Sequence, residues 1–348
     1  MFKNCQIIAI SADGREYHTV EPGCERGTPK FVMSSSGIRA FYEYGPSKWR
    51  EPIEDEEGNI SFVEFTGSKS TEYGDLFDTL LLTPELFNDR YKVRPKEYVN
   101  EKREVKEWSA NAKFCRAWKE DYEAEGFTIT NDGELFKVNQ AIKRFLRDDE
   151  FKRFVEQSEK QVWIVGEWHD ESGIIVPCKC LIDLCPRKDS DFHKSMGDVK
   201  TTKNAKPVPW EKWCHAAGYD VQAAWNYQMF VAATNREITT FRFLLSENTP
   251  PYEVGRRMMS ASLEDPERDL GDIASGRRQI KKMMGVYCAC LKTGKWPGYD
   301  DTDESINGWT IVAPNPYADI ARQFAPTYSF GEKPEADPEV EPDPDLIP

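Results

Sequence analysis

In the run GDVKTT, Asp198 and Lys200 stand two residues apart, and alternation along a strand aims both side chains at one face while Val199 turns to the other. A carboxylate and an ammonium so placed suit hydrolysis at phosphorus. The carboxylate helps to hold a hard divalent cation, and the amine orients or deprotonates a water, or steadies charge that develops on the phosphate. Asp183, in CLIDL, precedes Asp198 by fourteen intervening residues on an earlier strand-like run, and a hairpin sets the two acids across from each other. Glu167, in IVGEWH, lies on the run before that. Two or three carboxylates converging at about 2.0–2.1 Å on Mg2+ leave room for waters and phosphate oxygens. The ion then activates a water and neutralises the phosphate in phosphodiester cleavage. Taken alone, this spacing is equally that of a surface ion pair, since acids and lysines are common in any chain.

Two further pieces add weight. Tyr219 and Gln222, in GYDVQAAWN, are neighbours on one helix face at i and i+3, where they reach a DNA phosphate or the attacking water. The alternative for them is a core-edge tyrosine and a solvated amide. Asp78, in GDLFDTLLL, is an acid within an apolar helix and costs desolvation unless a salt bridge or a cation compensates it. His169 and His193 flank turns and read as ordinary polar positions.

These residues need elements to position them. MSSSGIRAFYEYGPSKWR opens with serines that cap a short helix ending before Pro46, and residues 73–87 read as a buried helix stopped near Pro84. Residues 100–126 look helical and polar. In the run 130–157, Asn131 or Asp132 caps a helix whose Leu135, Val138, Ile142, Phe145 and Leu146 fall at helical spacing. The period then changes: KQVWIVGEWH, IIVPCKCLIDL and HKSMGDVKT are strand-like. A helix from Gly218, a strand at TTFRFLLSE and a long helix near 266–293 follow. The layout predicts α+β or mixed α/β architecture, with a small, mostly antiparallel sheet inside a helical elaboration. Residues 1–30 read as an N-terminal edge segment, 31–330 as the main domain, and 331–348 as a disordered acidic, Pro-rich tail.

The chain of 348 residues is 39% hydrophobic and 30% charged, with enough apolar mass for a sizeable core. No apolar run approaches the ~20 residues of a membrane span, and the N-terminus lacks signal-peptide features, so a cytoplasmic protein without membrane contact is expected. Nine dispersed cysteines point to reduced thiols; Cys178 and Cys180, alternating on a strand, share one face as small core fillers. The net charge of −14 disfavours a nucleic-acid partner, although seven acids and one lysine of it sit in the tail, and a local basic groove is compatible with it.

The order of these segments resembles the PD-(D/E)XK nucleases of the RecE type: exodeoxyribonuclease VIII, its phage relatives and, more distantly, lambda exonuclease and RecB-like nucleases. The resemblance runs from about Met33 to about Ala318 through MSSSGIRAFYEYGPSKWR, YGDLFDTLLLTPELFNDRYKV, GEWHDESGIIVPCKCLIDLCP, GDVKTTKNA, GYDVQAAWN and TGKWPGY. It implies a restriction-endonuclease-like core and an exonuclease dependent on Mg2+, with Mn2+ as a substitute. Such an enzyme digests linear double-stranded DNA from 5′ ends and leaves 3′ overhangs for a single-strand annealing recombinase, often as a homo-oligomeric ring in a bacterial or phage-infected cell. It places Asp183, Asp198 and Lys200 in the catalytic motif with Tyr219 and Gln222 on the following helix, and Asp78, Glu167, Asp183 and Asp198 around the metal. Asp78 stands where many relatives have histidine. Ser35, Ser36 and Arg39 fall in the segment that approaches the DNA 5′ phosphate, helix capping being the other use of the serines. Only Cys288 and Cys290 occupy the late region where some relatives hold an iron–sulfur cluster, so none is expected. The alternatives are a RecB-like nuclease for single strands or DNA structures, and a catalytically inactive nuclease fold kept for binding.

Overall fold

The alternating runs that follow Gln157 fold into the centre of a six-stranded sheet. In the computed structural model its strands are β1 (Phe2–Ala9), β2 (Ser158–His169), β3 (Ile175–Pro186), β4 (Ser195–Thr202), β5 (Thr240–Glu247) and β6 (Val254–Ser260), in that spatial order. Neighbours pair antiparallel except β4 with β5, which run parallel. The helices that pack on the sheet include α1 (Ser35–Tyr44), α2 (Lys69–Leu82), α3 (Asp132–Phe145), α4 (Asp149–Glu156), α5 (Pro207–Ala216), α6 (Tyr219–Thr234) and α7 (Asp272–Thr293). The structure describes residues 1–19, 25–56, 58, 60–63, 69–260, 272–299, 305–306 and 309–310. The tail 331–348 and the expected start of the last helix at 266 lie outside these residues. The chain divides into two compact units, Met1–Gly298 and Tyr299–Pro348. Of the second, one antiparallel pair is described, Ser305–Ile306 with Trp309–Thr310. Among the described residues no helix is long and apolar enough to cross a membrane.

Helices cover both faces of the sheet. On one face Ile38 and Phe41 of α1, Trp225 of α6 and Met284 of α7 pack on Ile164, Ile182 and Phe243. On the other, Phe77 of α2, Val138 of α3 and Phe154 of α4 pack on Leu184, Val199 and Leu244. The outcome is the mixed α+β architecture expected, with the sheet mostly antiparallel.

Several boundaries differ from the sequence reading, each for a local reason. The run 130–157 holds two helices: Asn131 caps α3 through the amides of Gly133 and Glu134, and Asp148 caps α4 through those of Glu150 and Phe151. In 100–126 only Lys113–Ala124 is helical, preceded by a strand at Val105–Glu107. Helix α5 starts on Pro207, whose missing N–H costs nothing in a first turn, and β6 hides its period behind Arg256 and Arg257. Every cysteine among the described residues is a free thiol, and Cys178, Cys180 and Cys185 are buried in the core.

Candidate active site

Strands β3 and β4 share a single pair in regular register, Gly197 with Leu184. Immediately beyond it, the amide of Val199 donates to the Asp183 side chain (Oδ2, 2.9 Å) rather than to a carbonyl of the neighbouring strand. A buried backbone amide must find an acceptor, and here it fixes a carboxylate in the fork between the strands. The other oxygen of Asp183 accepts from Gln161 Nε2 at 3.2 Å. Gln161 holds a left-handed backbone, φ 46°. The register from Lys160–Leu184 to Val162–Ile182 sets it directly opposite Asp183.

Asp198, 1% exposed, faces Asp183 within hydrogen-bonding range. Its Oδ1 accepts from Gln222 Nε2 at 3.1 Å, and its Oδ2 lies 2.5 Å from Lys200 Nζ. The Lys200 ammonium sits 5.0 Å over the Tyr219 ring, which stacks on Trp210 at 5.6 Å. Helix α6 thus supplies both of its expected residues from one face of the sheet. From the opposite face α2 supplies Asp78, whose Oδ1 is buried and has no hydrogen-bond partner among the described residues. The helix comes close to β4 at Gly74, where a Cβ would sit 3.2 Å from Thr201 Oγ1.

Electrostatics follow from this crowding. Burial, then the charge of Asp198, pushes the Asp183 carboxyl up to about 7. Burial, then the charge of Asp183, with Asp198 and Asp75 adding, raises Asp78 well above the carboxylate range. Burial alone would lower Lys200, but Asp198 above all, then Tyr219 and Asp183, hold its proton more firmly than usual. One buried and two partly buried carboxyls thus meet one ammonium, an excess of negative charge that only protons or a further cation relieve.

Among the described residues no group of three His, Cys, Asp or Glu side chains is gathered closely enough to hold an ion together. The touching pair is Asp183 and Asp198. Mg2+ commonly takes one or two carboxylates and completes its shell with waters and phosphate oxygens, so this pair suits it, and the partnerless oxygen of Asp78 suits an ion-bound water.

Glu167 does not join them. It lies on β2 six residues beyond Gln161, about 20 Å along the strand, and pairs with His169 Nε2 at 2.8 Å and Asn4 Nδ2 at 2.7 Å. The strand position across from Asp183 belongs to Gln161, a residue the sequence reading passed over. Its only sequence signal is a polar side chain in the first half of EKQVWIVG, and the register needed to use it is not written in the sequence. Arg39 does approach: it donates to the carbonyl of Ala217 at the start of α6, and the charges of Tyr219 and Asp198 act on it. Ser34 caps α1 through the amide of Gly37, and its hydroxyl lies 3.0 Å from that of Ser36, so this part of the serine run serves the helix start. Ser35 is the first residue of that helix.

A family model, the PDDEXK-like domain of unknown function (DUF3799), matches residues 56–306, a stretch with all of these site residues except Ser35, Ser36 and Arg39. No curated protein sequence matches significantly. Among solved structures the chain is similar to a candidate exonuclease of Eubacterium rectale, at 15% identity over 90% of this chain and 98% of that one, with a TM-score of 0.48. The family match spans most of the chain, including the strand fork and both helices that close on it, and the chain therefore belongs to the PDDEXK-like DUF3799 family.

Proposed function

We propose that the protein is a metal-dependent exodeoxyribonuclease that hydrolyses phosphodiester bonds from the ends of linear double-stranded DNA. The observation that carries this reading is the partly buried Asp183–Asp198–Lys200 cluster in the strand fork, with more carboxylate than cation around it. Mg2+, or Mn2+ in its place, would be held by Asp183 and Asp198 and would supply an activated water and positive charge at the scissile phosphate. In the metal-free site Asp198 above all holds the Lys200 proton firmly, and the ammonium would offer a charge and a hydrogen-bond donor to a phosphate oxygen. Gln222 fixes one oxygen of Asp198, and the Tyr219 ring holds the ammonium from above. Gln161 and the Val199 amide together prevent Asp183 from turning away. Arg39, beside the start of α6, offers a guanidinium to a terminal phosphate.

The direction of digestion from 5′ ends, the 3′ overhangs, the annealing partner and a ring of subunits rest on the resemblance to RecE-type nucleases. A linear duplex labelled separately at each 5′ and 3′ end, incubated with Mg2+, tests the reading. Wild type is expected to release nucleotides from the 5′-ended strands, and Asp198→Ala none. Equal release by the two proteins would reject the assignment, and preferential loss from a single strand would move it to the RecB-like class.

A further inference from the structure

Between Tyr91 and Thr130 the chain builds an appendage of its own. Its two ends are tied by parallel pairing of Tyr91–Val93 with Thr128–Thr130. Between them lie an antiparallel hairpin, Glu97–Val99 with Val105–Glu107, and the helix Lys113–Ala124, in which Cys115 is the buried residue. Among the described residues only Tyr91 of this segment belongs to either main core, and it packs beside Thr79, the neighbour of Asp78. The remaining aromatic rings pack on one another. Tyr98 and Phe114 stack nearly parallel (8°, centroids 5.9 Å apart), and Trp118 touches both Trp108 (5.3 Å) and Tyr122 (4.6 Å). Cations interleave with them: Lys92 lies 4.2 Å over the Phe127 ring, and Arg94 lies 5.7 Å over Trp108.

We propose that this appendage is a platform for single-stranded DNA, the strand left unpaired when the active site shortens its complement; the source of that strand rests on the nuclease reading above. A cluster that served only as a small core would turn its apolar groups inward. Here Phe114 is 50% exposed, and the cross-strand pair Val99 and Val105 is 58% and 62% exposed. Phe114 ends a two-ring stack, and an unpaired base continues it as a third layer. Stacking of this kind contributes about 1–3 kcal/mol per base and does not depend on base identity. Charge agrees: residues 91–130 hold nine Lys or Arg against eight Asp or Glu, in a chain of net −14. Phosphates running past the rings therefore meet cations in a segment without the chain's general negative charge. Duplex DNA keeps its base faces covered and cannot use the rings.

The test uses the full-length protein in excess EDTA, so that nothing is cut, and fluorescence anisotropy of a dye-labelled strand of about 20 thymidines. Phe114→Ala is expected to weaken binding about 5- to 50-fold and Phe114→Trp to retain it. A duplex of the same length should bind all three proteins alike. Lys106→Glu, across the hairpin from Tyr98 and on its face, checks the same surface by charge and should also weaken single-strand binding. Unchanged single-strand affinity in Phe114→Ala and Lys106→Glu would overturn the proposal, as would equal affinity of wild type for single strand and duplex. A protein that binds the strand yet cuts nothing with Mg2+ would leave this platform standing and remove the nuclease reading.

Discussion

At the strand fork Lys200 is outnumbered, and that imbalance makes its removal informative. Its ammonium is the nearest compensation for Asp198, which is 1% exposed. Lys200→Ala should lower cleavage by about 10²- to 10⁴-fold, the range for loss of a positioned donor. It should also destabilise the metal-free protein by about 3–5 kcal/mol, because a buried carboxylate loses its partner. Denaturant unfolding with and without Mg2+ checks the second effect, and a large part of the loss should return when the ion takes over the compensation. Asp183 gives a pH dependence of definite sign. Its carboxyl is pushed from 3.8 to about 7 in the folded chain, whereas an unfolded chain releases the proton near its ordinary value. Between about pH 4 and 7 the unfolded state is thus the more ionised, and stability falls as pH rises, levelling above 7. The ceiling on this share is on the order of 4 kcal/mol. In Asp183→Asn there is no proton to lose, and the difference between the metal-free stability curves of the two proteins should slope across that window. Parallel curves would remove the charge crowding on which the site rests.

The elements tell how far residue types alone lead. The Asp–X–Lys strand and the Tyr–X–X–Gln helix were legible because each is a short local period, two on a strand and three on a helix. Asp78 was legible because an acid among leucines demands a reason. Glu167 was misplaced because strand membership was visible and register was not: a strand of twelve residues offers positions some 40 Å apart, and only the pairing with β3 selects among them. That pairing selects Gln161. The break at Asp148, the helix on Pro207 and strand β6 were missed for related reasons, each resting on a cap or an exposed arginine pair rather than on apolar period. The correction is testable. Gln161→Ala frees one oxygen of Asp183 to turn and should weaken cation binding about 10-fold, in line with the loss of other orienting hydrogen bonds around metal ligands. Glu167→Ala should leave both cation binding and cleavage within about twofold of wild type, since surface substitutions away from a site are close to neutral. Calorimetric titration with Mn2+ of the two variants decides between them, and the reverse order would return Glu167 to the site.

In the whole molecule the sheet separates two cores, and the site is where they communicate. Helix α6 belongs to one core and holds Asp198 through Gln222, while α2 belongs to the other and carries Asp78. A cation in the fork therefore binds only when both layers are folded on the sheet, and its binding energy should appear as global stability. At 100 times the dissociation constant the gain is about 2.7 kcal/mol, which for a chain of this size raises Tm by about 4 °C. Asp78→Asn separates the parts of this argument. The substitution keeps the shape and removes a carboxyl that burial and Asp183 already hold protonated far above its usual range. At pH 8 the metal-free variant should melt higher than wild type, because ionising that group no longer opposes the fold. Its increment on adding Mg2+ should shrink, because an amide cannot release a proton to give the ion a nearby negative charge. If Asp78 were only a filler of the apolar helix, the two changes would not come together: the metal-free Tm would fall or stay, and the Mg2+ increment would match that of wild type.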